Sequence, residues 1–126
     1  MTVESFRCAP LHELPGRPAA AAGLHAKTLA APGSTSHSLV AGVVVLDPGA
    51  RIRRHFHNIE ELQYVLHGNG ISRDIAGREY PVGPGSVVYC GPGRDGAHEF
   101  ENTTDLPLAL LFVYPQVAET TWVDQP

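Results

Sequence analysis

A chain of 126 residues fits one domain of ordinary size. It is 43% hydrophobic and 17% charged, with 13 glycines and 11 prolines, so it has the apolar material for a core but interrupts regular structure often. That composition argues against disorder and against a helical bundle. The formal charge is −4, and of nine basic residues only Lys27 is a lysine, so no basic footprint for nucleic acid is present and Schiff-base chemistry has no evident site.

The first 23 residues form the first unit in chain order. Pro10, Pro15, Pro18 and the run Ala19 to Ala22 suit an extended arm or a short helical turn at an edge. Met1 to Pro10 has no basic leader and no apolar run of the signal-peptide kind. The longest apolar stretch, Leu39 to Leu46, is far below the ~20 residues of a membrane helix, so a soluble cytoplasmic protein is expected, with Cys8 and Cys90 as reduced thiols.

From Leu24 onward short apolar or alternating runs are separated by turn residues. Leu24 to Leu29 ends at Pro32-Gly33-Ser34, Ser38 to Leu46 at Asp47-Pro48-Gly49, Glu61 to Leu66 at His67-Gly68-Asn69-Gly70, and Ile71 to Ile75 at Ala76-Gly77. Ser86 to Cys90, His98 to Asn102 and Leu108 to Tyr114 continue the series. About eight strands are expected, in an all-β sandwich or barrel over residues 24–115. Residues 116–126 are read as a terminal strand or a tail.

His12, His25 and His67 stand singly and read as exposed or hydrogen-bonded side chains. His55-Phe56-His57 differs, because residues two apart on a strand share a face and both imidazoles would project side by side. Glu61 follows after Asn58-Ile59-Glu60 can turn the chain, and His98 opens a later strand beyond a glycine-rich turn. Three imidazoles and one carboxylate suit a divalent transition metal, with positions left for water or substrate. Glu60 is the rival carboxylate, but alternation points it away from Glu61's face.

The spaced residues Gly49, His55, His57, Glu61 and Gly68 resemble the first cupin motif at every fixed position. Gly85, Pro92, Gly96, His98 and Asn102 resemble the second more loosely. Ser86 stands where the family commonly has aspartate, and Pro92 lies one residue further from His98 than usual. The resemblance spans Leu24 to Tyr114 and implies an all-β, double-stranded β-helix or jelly-roll barrel with the metal inside its mouth. It carries the ligand roles onto His55, His57, Glu61 and His98. Cupins commonly pair through their sheets, so a homodimer is expected, with the Pro- and Ala-rich arm able to cross to a neighbour and cover a strand edge.

Alternation from Glu61 puts Gln63 and Val65 on the ligand face and sets Leu62, Tyr64 and Leu66 to pack on the other. Gln63 can donate to a substrate oxygen or metal-bound water, or orient a ligand histidine. Arg51 and Arg53 share parity with His55, and Arg53 is the candidate for a substrate carboxylate at the mouth. The closing strand is apolar on both faces, so either Phe112 and Tyr114 or Leu111 and Val113 turn inward. Tyr114 is a candidate proton donor in the first case, and His37 is a further residue near the mouth. The expected function is a metal-dependent small-molecule enzyme with one divalent ion, Fe2+ first, with Zn2+, Ni2+ or Mn2+ as alternatives. A non-haem dioxygenase acting on an enolisable or hydroxylated substrate leads; an isomerase, cyclase, lyase or decarboxylase, and a non-catalytic ligand-binding barrel, are the other readings.

Overall fold

In the computed structural model, residues 5–33 and 35–123 are described. The outer ends of the arm (1–4) and tail (124–126), and Ser34 of the Pro32-Gly33-Ser34 turn, lie outside them. The described residues are almost entirely strand and turn. In chain order the strands are β1 (Gly16–Arg17), β2 (Leu24–Ala30), β3 (Val40–Leu46), β4 (Arg51–His57), β5 (Glu61–His67) and β6 (Gly70–Arg73). They continue as β7 (Glu79–Val82), β8 (Val87–Cys90), β9 (His98–Glu101), β10 (Leu108–Tyr114) and β11 (Thr120–Trp122).

Two antiparallel sheets face each other, one of six strands in the order β1-β2-β3-β10-β5-β8 and one of five in the order β11-β4-β9-β6-β7. The expected jelly-roll barrel is therefore the observed fold. Strands β7 and β1 were not foreseen: Pro81 sits inside β7, and proline argues against a strand unless the strand is at an edge, as β7 is. The arm lies along its own chain, where β1 pairs with β2 through Gly16↔Lys27 and Arg17↔Ala26. Within the expected terminal segment, Thr120–Trp122 form a strand, β11, against β4.

The sheets close over a core of Leu24, Leu46, Val65, Val82, Phe100, Leu108 and Leu110, in which Leu46, Phe100 and Leu108 are fully buried. Burying such side chains supplies roughly 1.5–3 kcal/mol each, the main force holding the sheets together. This core fills one part of the barrel and leaves the ligand end open. Leu62, Tyr64 and Leu66 do not pack against a second layer, as alternation had suggested; they stand 46%, 42% and 41% exposed on the outer face of the six-stranded sheet. No third layer among the described residues covers that face.

The two motifs are tied together behind the site. Gly49 N–H donates to Asn102 O and Asn102 N–H to Ala50 O. The Asn102 side chain donates to Leu46 O and Leu106 O and accepts from the backbone and hydroxyl of Thr104, so this buried amide is fully satisfied. Gly68 takes φ +85°, and a Cβ there would lie 2.2 Å from Pro107 O, which excludes any side chain. At Ser86, where aspartate was the commoner family residue, the hydroxyl accepts from Gly83 N–H at 3.0 Å and closes the turn. No helix among the described residues is long and apolar enough to cross a membrane.

Candidate metal centre

His55 and His57 turn inward from β4, as their period-two spacing requires, and β9 sets His98 directly beside His55 in register. Glu61 arrives from the opposite sheet as the first residue of β5. All four are nearly fully buried, and one potential ligand atom from each lies within 4.8 Å of the other three. The imidazole centroids are 4.4 Å (His55–His98), 4.9 Å (His55–His57) and 5.7 Å (His57–His98) apart. Glu60 is exposed and points elsewhere, as alternation demands.

The outer nitrogens are all held. His55 Nδ1 lies 2.7 Å from Arg53 O, His98 Nδ1 2.8 Å from Gly96 O, and His57 Nδ1 3.0 Å from the Thr120 hydroxyl. With Nδ1–H donating to an oxygen, each ring turns its Nε2 inward, the arrangement that orients metal-binding imidazoles. The turn that aims His98 is tight: a Cβ on Gly96 would lie 1.9 Å from Gly91 O, and Gly93 N–H is tied to His57 O at 2.8 Å.

Glu61 Oε1 lies 2.9 Å from His98 Nε2 and 3.3 Å from His57 Nε2, yet Glu61 Oε1 and His98 Nε2 make no well-aligned hydrogen bond. Buried polar atoms are rarely left so, and two converging on one point fit a cation between them. Burial disfavours ionised Glu61, but the contacts of His57 and His98 outweigh it and hold the carboxyl down at about 2. Burial, then the neighbouring His98 and His57, lowers His55 to about 4 and keeps it neutral. For His98 burial opposes the charge, while the Cys90 thiol and Glu61 overcome it and push the imidazole up to about 10. The metal-free site thus holds one proton that a cation must displace.

His55, His57 and Glu61 form the floor of a cavity of about 180 Å³. Its walls are mostly apolar: Leu24, Val44, Ile52, Leu110 and Phe112, with Pro18, Ala19 and Ala20 from the arm and Trp122 from β11. The closing strand's facing is resolved, with Leu110, Phe112 and Tyr114 inward. Gly42 makes this possible, because a Cβ there would meet the Phe112 ring at 2.4 Å. Gln63 lines the cavity, buried, with the Cys90 thiol 3.9 Å from its Oε1. The Tyr114 hydroxyl lies 3.2 Å from His57 Nε2, and burial together with Glu61 pushes its phenol above the ordinary range, so it remains protonated.

The parity argument for the arginines fails at a β-bulge. Between Ile52↔Phe100 and His55↔His98, β4 spends three steps where β9 spends two, so Ile52 faces inward with His55. Arg51 and Arg54 turn to the outer face, where both meet Glu99. Arg53 is exposed, its guanidinium 4.9 Å over the Trp122 ring, and it does not line the cavity. His37 is likewise exposed and outside it, as are His12, His25 and His67. Sequence reasoning missed Arg17, Ile52, Thr120 and Trp122. Thr120-Thr121-Trp122 carried a strand-like composition, but nothing local indicated that it would lie beside His55-Phe56-His57.

Three histidines and a glutamate converging inside the mouth of a double-sheet barrel define a β-barrel protein with a cluster able to bind a metal. The chain belongs to the cupin domain family, whose profile matches residues 42–114. No curated protein sequence matches it. Among solved structures it is similar to a polyketide cyclase from Streptomyces resistomycificus, at 21% identity and a TM-score of 0.81, covering 96% of this chain and 87% of that one. It is also similar to a cupin-superfamily sugar phosphate isomerase from Silicibacter pomeroyi, at 26% identity and a TM-score of 0.78, covering 94% and 83%. A predicted oxalate decarboxylase from Thermotoga maritima gives 22% identity and a TM-score of 0.70, covering 88% and 100%.

Proposed function

We propose that this protein is a metal-dependent enzyme that binds a small enolisable or hydroxylated substrate and rearranges it by moving a proton, as an isomerase, cyclase or lyase does. The observation that carries this reading is the pairing of Gln63 and a protonated Tyr114 on the cavity wall beside the four ligands. A divalent ion on His55, His57, Glu61 and His98 would supply Lewis acidity and stabilise negative charge developing on a substrate oxygen. Tyr114 Oη carries the proton, and burial keeps it there until a basic substrate atom approaches. Gln63 can donate to the same substrate oxygen or accept from its hydroxyl. The apolar wall of Leu24, Val44, Ile52, Leu110 and Phe112 limits water around the reacting atoms and strengthens each polar contact.

The structural relatives that are named as a cyclase and an isomerase support this choice in kind. The same ligand set also suits iron and dioxygen, and the remaining alternative is a barrel that binds a ligand without turnover. The test is metal content by elemental analysis on protein purified without a metal-binding tag, with product formation and oxygen uptake followed over a panel of diketones and hydroxyacids. A stoichiometric divalent metal with turnover and no oxygen loss is the expected result. Substrate-dependent oxygen loss would replace this reading with the dioxygenase, and no metal after reconstitution with the binding barrel.

A further inference from the structure

Among the side chains that line the cavity, Arg17 carries the one fixed positive charge. It comes from the arm, not the barrel: β1 pairs Arg17 with Ala26 of β2, and Arg17 and the Pro18-Ala19-Ala20 segment after it line the cavity at its rim. Its guanidinium lies 5.1 Å over the ring of Phe112, which is itself seated in the space left by Gly42. Phe112 and Tyr114 are neighbours at 5.5 Å between ring centroids, and Tyr114 is 4.9 Å from His57. One continuous wall therefore runs from the guanidinium to the ligands. No carboxylate among the described residues forms an ion pair with Arg17, whereas Arg51, Arg54 and Arg73 all meet glutamates on the outer face.

We propose that Arg17 is the residue that selects the substrate's charge, reading a carboxylate at the end of the molecule remote from the metal ligands. A guanidinium fork matches a carboxylate in two parallel hydrogen bonds, and stacking on Phe112 holds the fork in place without consuming its donors. A monoanion suits the site better than a phosphate, because one cation at the rim of an apolar cavity leaves a dianion half neutralised. The substrate class is thus a small organic acid with an apolar body: carboxylate at the arm, enolisable or hydroxylated carbon at the floor. This rests on the proposed function for the floor, but the rim makes a separate claim.

Trp122 is the chain's one tryptophan and lines the cavity, so its fluorescence reports occupancy without turnover. The probes are cyclohexanecarboxylate and its neutral isostere cyclohexanecarboxamide, titrated into the full-length protein with the metal it carries, with calorimetry as a second readout. Wild type is expected to prefer the carboxylate, and Arg17→Met to lower that preference about tenfold, the worth of a charge-assisted hydrogen bond at a partly open site. Arg17→Lys should recover part of it. Any preference left in Arg17→Met belongs to the floor. An equal preference in wild type and Arg17→Met, or none in wild type, overturns the proposal. Metal content measured on the same samples keeps the two claims apart: protein without metal but with an Arg17-dependent preference sinks only the proposed function.

Discussion

Two glutamates are buried in this barrel to almost the same degree, Glu61 at 3% exposure and Glu99 at 1%, and they live in opposite circumstances. Glu99 faces outward from β9 and is enclosed by cations: Arg54 Nη2 at 2.7 Å, Arg51 Nη2 at 2.5 Å and Arg73 Nη1 at 3.6 Å. Arg73 continues the network to Glu101 and Glu79. Glu61 has no arginine beside it, only the imidazoles and the Tyr114 phenol, and its Oε1 makes no aligned hydrogen bond. Strands β4 and β9 carry Arg51, Arg54 and Glu99 on one face and the three histidines on the other, where Glu61 meets them from β5. A carboxylate satisfied by the chain's own arginines is structural, and one that the chain leaves open among histidines is a site.

The largest expected effect is on the inner carboxylate. Glu61→Gln or His57→Ala should reduce metal content from stoichiometric to near zero by elemental analysis, with the β-type circular dichroism retained, because the core cluster does not include either side chain. Full metal content in either variant would dissolve the contrast. Next comes pH. Since the metal-free site holds a proton on His98 with its pKa at about 10, metal affinity should rise about tenfold per pH unit through neutrality and level off above that value. A flat affinity between pH 6 and 9 would show that His98 is already neutral.

On the outer face, Glu99→Gln should cost about 2 kcal/mol in denaturant unfolding, below the usual value for a broken buried pair because Arg51, Arg54 and Arg73 can reach water, and leave metal content unchanged. The arginines hold the Glu99 carboxyl below its ordinary range although burial opposes this. Its stabilisation is therefore present above the unfolded carboxylate range and is lost as pH falls through the folded value. The variant should lack that part of the acid limb. Thr120→Val sharpens the inner side, since loss of the oxygen beside His57 Nδ1 should weaken metal binding about tenfold with little change in unfolding. Gln63→Leu is the mildest change for the metal: occupancy stays and turnover falls, whereas unchanged kinetics would reduce Gln63 to packing.

Much of this was legible along the chain because it depends on local periodicity. His55 and His57 share a face by strand geometry, Glu61 and Gln63 share another, and Glu60 is turned out by the same rule. The turn glycines marked where strands end, so the double-sheet barrel and its ligand set followed from spacing and from the family motif. The rule failed where its premise did: one extra residue in β4 turned Arg51 away and brought Ile52 in, and no residue in Arg51-Ile52-Arg53-Arg54 marks a bulge.

The sequence by itself determined the architecture and the four convergent side chains, since both arise from alternation within strands and from the turns that join them. Only the tertiary structure decided what surrounds them. Thr120 and Trp122 reach β4 from the end of the chain, Arg17 reaches Phe112 from near its start, and Gly42 clears space for a ring on a strand seventy residues later. Those contacts join segments far apart in the chain. They are set by which strands lie edge to edge and in what register, and no local pattern encodes that.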